Sequence, residues 1–115
     1  MELSHRLELL LNGGQISLET NQFMLKIIEM FQVKLGIKLT EENGAMFITH
    51  LAITCERMKK NEKIEPMHES AYEEIKGNSN YIWSEAVLED IEKEIDIHFL
   101  ECEKTYIILH LCSIL

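Results

Sequence analysis

Apolar positions recur at intervals of three and four along most of the chain, the spacing that gathers side chains on one face of an α-helix. Leu3, Leu7, Leu10 and Leu11 share one side of a short helix over 2–12, which Asn12-Gly13-Gly14 brings to a stop. Ser17 is placed to cap a second helix running to Leu35, with Phe23, Ile27, Met30, Phe31 and Leu35 as its buried stripe and Gly36 as its end. Thr40 caps a third helix; Glu41 and Glu42 follow in its first turn, and Lys59 and Lys60 close it, each charge favoured by the helix dipole at that end. Gly44 lies one turn inside this helix. A glycine there costs about 1 kcal/mol against alanine, so it points to a close approach by another element.

The second half continues the pattern. After a polar connector over 61–65, Pro66 suits the first turn of a helix over 66–76 that Gly77 ends. Ser79 or Ser84 is the expected cap of a helix whose stripe is Trp83, Val87, Ile91 and Ile95. Its other face is acidic, with Glu85, Glu89, Asp90, Glu92 and Glu94. Ile95-Asp96-Ile97-His98-Phe99 alternates like a strand but has no second strand to pair with, so 96–100 is read as an extended link. A final helix covers 101–113. The fold class is therefore all-α. One proline and five glycines in 115 residues fit a few long elements better than many turns.

Composition narrows the class further. At 46% apolar and 115 residues, the chain is a single-domain length able to bury its own core. The net charge is −9 and uneven: up to Lys60, seven acids balance seven basic residues, whereas Glu62–Glu103 holds thirteen acids against three lysines. Such a surface repels phosphate backbones, which argues against direct nucleic-acid binding. Cys55, Cys102 and Cys112 have no metal-ligand spacing and are read as reduced thiols of a cytoplasmic protein. The opening MELSHRLELLL is too short and polar for a signal peptide, and no apolar run reaches membrane-spanning length. No phosphate-cradling loop, HExxH, nucleophile elbow or CxxC is present, so the chain is not read as an enzyme and no cofactor or metal is expected.

Candidate chemistry lies in two helices. Met46, His50, Ile53 and Arg57 step by four, three and four, placing a histidine and an arginine on one line of the third helix. Phe47, Leu51, Thr54 and Met58 form the neighbouring line. In the last helix Glu103 and His110 are also seven apart and share a face with Tyr106 and Ile107. Seven residues span about 10 Å of helix, so Glu103 cannot reach His110; Arg57 is its natural partner. A neutral imidazole is a competent nucleophile, and a guanidinium suits the phosphoryl group it would carry. The competing reading is a pair of structural histidines at the core edge. His5, His68 and His98 lack partners at ligand spacing and are read as surface residues.

His50-Leu-Ala-Ile-Thr-Cys-Glu-Arg57 and Glu103-Lys-Thr-Tyr106-Ile107-Ile-Leu109-His110 resemble, in order and separation, the two histidine blocks of the PTS regulation domain (PRD) of bacterial antiterminators and transcriptional activators. The resemblance covers about residues 17–115, with 1–16 as an additional helix and turn. It implies a compact bundle of five helices, two antiparallel pairs crossing each other, with the two histidines close in space. It also implies phosphorylation of His50 and His110 by HPr or a sugar-specific EIIB-type component, supported by Arg57 and Glu103. Phosphorylation in such domains alters homodimer packing and so controls transcription of carbohydrate genes. Such domains usually come as a tandem pair with effector modules, and this sequence holds a single copy and none of those modules; it is read as either a stand-alone member, whose output would pass through another protein, or a piece of a larger regulator. The alternative is a helical adaptor or dimerisation module that is never phosphorylated.

Overall fold

The computed structural model describes residues 2–115. They form six helices and no strand: α1 (Leu3–Asn12), α2 (Leu18–Leu35), α3 (Glu41–Lys59), α4 (Glu69–Lys76), α5 (Tyr81–Ile95) and α6 (Glu101–Ile114). Contacts divide the chain into two compact units, Met1–Asn61 and Glu62–Leu115.

In the first unit, α1, α2 and α3 each pack against the other two. The local signals for their ends work as the residue types require. Gly14 takes a left-handed φ of 74° after α1, and Gly36 one of 67° after α2, a conformation that costs a glycine little. Ser17 Oγ accepts from the Thr20 amide at 3.2 Å. Thr40 and Asn43 form a reciprocal capping box, with Asn43 in the place more often taken by Glu or Gln. The Gly44 anomaly has its expected cause. A Cβ there would lie 3.2 Å from Leu39 Cβ and 3.3 Å from Leu3 Cδ1, so the glycine lets α1 and the 36–40 link close on α3. Arg6 of α1 also pairs with Glu41 at the start of α3 through hydrogen bonds from both Nε and Nη2.

The buried stripe of α2 is Thr20, Met24, Ile27, Met30 and Phe31. Phe23 and Leu35 are only half-buried, and Met24 takes the central place that the sequence pattern gave to Phe23. Phe31 and the Phe47 ring of α3 are tilted 48° with centroids 5.5 Å apart, a favoured aromatic geometry.

In the second unit α5 packs on α6. Two predicted starts are displaced. Helix α4 begins at Glu69, not Pro66, because the His68 ring caps it: Nδ1 accepts from the Ser70 amide at 3.2 Å. Helix α5 begins after Asn80, and neither Ser79 nor Ser84 caps it; Ser84 is fully buried in the first turn. The 96–100 link is neither helix nor strand; Asp96 enters it with a left-handed φ of 54°, and Leu100 at its end is extended.

Two residues of α5 lie opposite to their sequence reading. Trp83 is 45% exposed, whereas Glu92 is buried. The buried arc runs through Ser84, Val87, Leu88, Ile91 and Ile95, and position 92 falls at its edge, next to Leu88. Glu92 is tolerated there because its carboxylate accepts from the Phe99 amide at 2.9 Å and has the Lys104 ammonium 3.9 Å away. It ties the 96–100 link to α5.

Candidate functional site

Helix α3 supplies the first candidate group. Its buried arc is Gly44, Phe47, Ile48, Leu51, Ala52, Thr54 and Cys55. The line holding His50 and Arg57 runs along the margin of that arc. Met46 and Ile53, which the spacing placed on an apolar face, are 77% and 39% exposed. His50 is half-buried, and its Nε2 has less than 1 Å² of accessible surface. That nitrogen is therefore shielded from solvent.

Thr54 joins the two residues. It is fully buried, donates from Oγ1 to the His50 carbonyl at 2.9 Å and accepts from Arg57 Nη2 at 3.3 Å. A threonine four residues after a carbonyl has the reach for this back-bond. The guanidinium is thereby held one turn from the residue that carries the imidazole. Spacing alone assigned Thr54 to the packing line; its β-hydroxyl at an otherwise apolar position was the available signal. Replacing it with the near-isosteric Val removes both hydrogen bonds. Thr54→Val is expected to cost about 1 kcal/mol of stability, read from a shift in denaturant midpoint. An unchanged midpoint would mean that the hydroxyl contributes nothing.

One turn further on, Glu56 faces α2. Thr20 donates to its carboxylate, Ser17 Oγ lies 3.3 Å away and Lys59 Nζ 3.8 Å away. Burial works to raise the Glu56 carboxyl. The hydrogen bonds from Thr20 and Ser17, together with Lys59, outweigh it and hold the group below the usual range. A depressed carboxyl stabilises the fold above its unfolded value, and that contribution is lost as pH falls through the folded value. Stability should therefore drop on acidification below about pH 4.5, the ordinary value for a glutamate, and Glu56→Gln should flatten that part of the profile. Thermal midpoints of both proteins across that range check this.

Helix α6 supplies the second group. Glu103 is only 1% exposed, unlike the solvent-facing acid that its spacing allowed. Ile107 and Leu111 are buried beside it, and His110 and Tyr106 are half-buried. Desolvation lowers the His110 imidazole below its ordinary value and keeps the ring neutral. The sign follows directly. The unfolded chain takes up this proton first, so the neutral folded ring favours stability above the unfolded value of 6.5 and loses that advantage as pH falls below it.

The other histidines are exposed, as expected. His5 lies 4.0 Å from Glu8, His68 caps α4, and His98 lies 4.0 Å from Glu92. All three cysteines are thiols. Among the described residues, no group of three or more His, Cys, Asp or Glu has the arrangement to hold a metal ion, and no helix is long and apolar enough to cross a membrane.

The profile of the PRD domain family matches residues 25–114, most of the chain and both histidine-bearing helices. The chain belongs to the PRD family. Membership makes it a regulatory domain related to control by the phosphotransferase system; PRD domains are a regulatory family, not a catalytic one. The match begins inside α2, so α1 precedes it. The PRD chain is also similar to the uncharacterized protein YhfY of Escherichia coli (strain K12), at 24% identity over 106 residues, covering 92% of this chain and 88% of that one. No solved structure matches.

Proposed function

We propose that this PRD domain is a histidine phospho-acceptor that works in the cytoplasm. His50 and His110 accept a phosphoryl group from HPr or from a sugar-specific EIIB-type component, and the charge so added controls transcription of carbohydrate genes. The observation that carries this reading is Arg57. Its guanidinium is held by Thr54 one turn from the residue that bears the imidazole, and a phosphoryl group there would need a charge-assisted donor. Desolvation favours the neutral ring at His110, which supports the second acceptor, since only an unprotonated ring nitrogen has the lone pair to attack.

In the transfer, the donor's phosphoramidate N–P bond breaks as a ring nitrogen of the acceptor forms a new one. The donor group, an imidazole in the histidine case, leaves with the electron pair and takes up the proton that the acceptor ring gives up, so no oxidant, metal or cofactor is consumed. The two added negative charges at neutral pH then bias packing between subunits, a local charge event read out at an interface. The interface proposed is a homodimer. The exposed apolar residues Leu18, Leu25 and Val33 of α2 lie in the electrically balanced half of the chain, where two copies can meet without net repulsion.

Incubation with Enzyme I, HPr and phosphoenolpyruvate, followed by intact mass at neutral pH, tests the reading. Added phosphoryl mass supports it. An unchanged mass with HPr and with an EIIB-type donor favours the adaptor with structural histidines, a role the shielded Nε2 of His50 would suit.

A further inference from the structure

The first two turns of α5 carry an exposed apolar face. Ile82 is 79% and Trp83 45% exposed, and Ala86, one turn after Ile82, is exposed as well. Glu85 and Glu89 border this face, and at a 100° step they stand between it and a cavity of about 140 Å³ within the second unit. The cavity is lined by four carboxylates, Glu85, Glu89, Glu92 and Glu101, against one ammonium, Lys104. Tyr72 and Tyr81 complete its wall. Burial, with help from a Tyr72 hydrogen bond and the Glu85 charge, pushes the Tyr81 phenol up to about 12, so the tyrosines add aromatic surface and no further charge. The Tyr72 ring already has the Lys76 ammonium 4.3 Å from its centre, a cation–π contact.

Size and charge define the occupant. Small-molecule pockets begin at about 300 Å³, so this cavity is too small for one and suits a single side chain. Its surplus of carboxylate makes that side chain a lysine or arginine. Apolar residues beside it call for an apolar stripe on the same partner element. A second copy of this chain is a poor occupant, because residues 62–115 hold thirteen acids against four lysines, the whole net charge of −9. Pairing this face with itself would set acid against acid.

We propose that the N-terminal face of α5 is the docking site for a protein helix with an apolar stripe edged by basic residues, one of which enters the cavity beside Glu85 and Glu89. Trp83 and Ile82 would be the anchoring contacts, the central aromatic and aliphatic pair that dominates such interfaces. The face would serve as an output surface of the domain. The docking step is independent of phosphorylation at His50 or His110.

Trp83 is the only tryptophan in the sequence, so its fluorescence reports on this face directly. The full chain is titrated with a synthetic amphipathic helix of leucine and lysine, and with a matched helix of leucine and glutamate. The expected result is a saturable blue shift with the leucine–lysine helix alone. The Glu85→Lys, Glu89→Lys variant should weaken it by about tenfold or more. The Glu62→Lys, Glu65→Lys variant, an equal charge change in the exposed connector, should leave it nearly unchanged. Both variants alter exposed side chains, and circular dichroism checks that they fold. Equal weakening by the two variants would reduce the effect to bulk charge and overturn the proposal, as would the absence of any shift. A blue shift that grows with the concentration of the chain alone and vanishes in Ile82→Glu would make the occupant a second copy, and would overturn it too.

Discussion

The His50→Ala, His110→Ala double variant is expected to take up no phosphoryl group from Enzyme I, HPr and phosphoenolpyruvate, while His5→Ala, His68→Ala and His98→Ala retain full labelling. The contrast follows from position. His5, His68 and His98 are exposed and stand outside the two helix faces that match the family blocks. His68 has a structural task as the cap of α4, so its replacement should cost some stability, about 0.5–2 kcal/mol, and no label. Of the two acceptors, His110 should label faster at Nε2. The same nitrogen of His50 has almost no accessible surface, so α3 or its side chain must shift before a donor can approach in line. Labelling that persists in the double variant would refute the assignment. Equal initial rates in the two single variants would refute only the order.

Glu103→Ala should be the most destabilising change among the candidate site residues, at about 3–5 kcal/mol. Glu103 is 1% exposed, and a carboxylate so deeply buried survives only with a compensating partner. We propose Arg57 as that partner, from the helix positions of the two residues and from the family blocks. A double-mutant cycle of Arg57→Ala with Glu103→Gln measures the coupling, expected at about 0.5–3 kcal/mol. Strict additivity would mean that the two residues act separately. Either result is readable because the thermodynamic cycle does not depend on phosphorylation.

Much of this fold could be read from residue types because its helix ends are local events. Ser17, Thr40, Gly14 and Gly36 act through their own side chains or backbone freedom, and each stands where its chemistry requires. The failures are tertiary. Pro66 is suited to a first turn, yet the His68 ring supplies a cap two residues later. Glu92 reads as solvent-facing until the link brings the Phe99 amide to its carboxylate. Trp83 reads as core by spacing, but the arc that packs is centred on Val87, Leu88 and Ile91.

The candidate site divides in the same way. The order and separation of its two histidine blocks were legible, because they are properties of the chain. That Thr54 would link the His50 carbonyl to Arg57 was not, because a hydroxyl at a buried helical position can serve several partners. The depth of Glu103 was also hidden, since helical spacing gives a face and not its burial.

The most direct measurement of the central claim is a phosphorus NMR spectrum of the chain after exposure to Enzyme I, HPr and phosphoenolpyruvate at neutral pH. The account predicts a resonance in the phosphoramidate region that is absent from the His50→Ala, His110→Ala variant and disappears on mild acidification, as an imidazole-bound phosphoryl group must. A spectrum without that resonance, or with one that survives acid as a phosphate ester would, contradicts it.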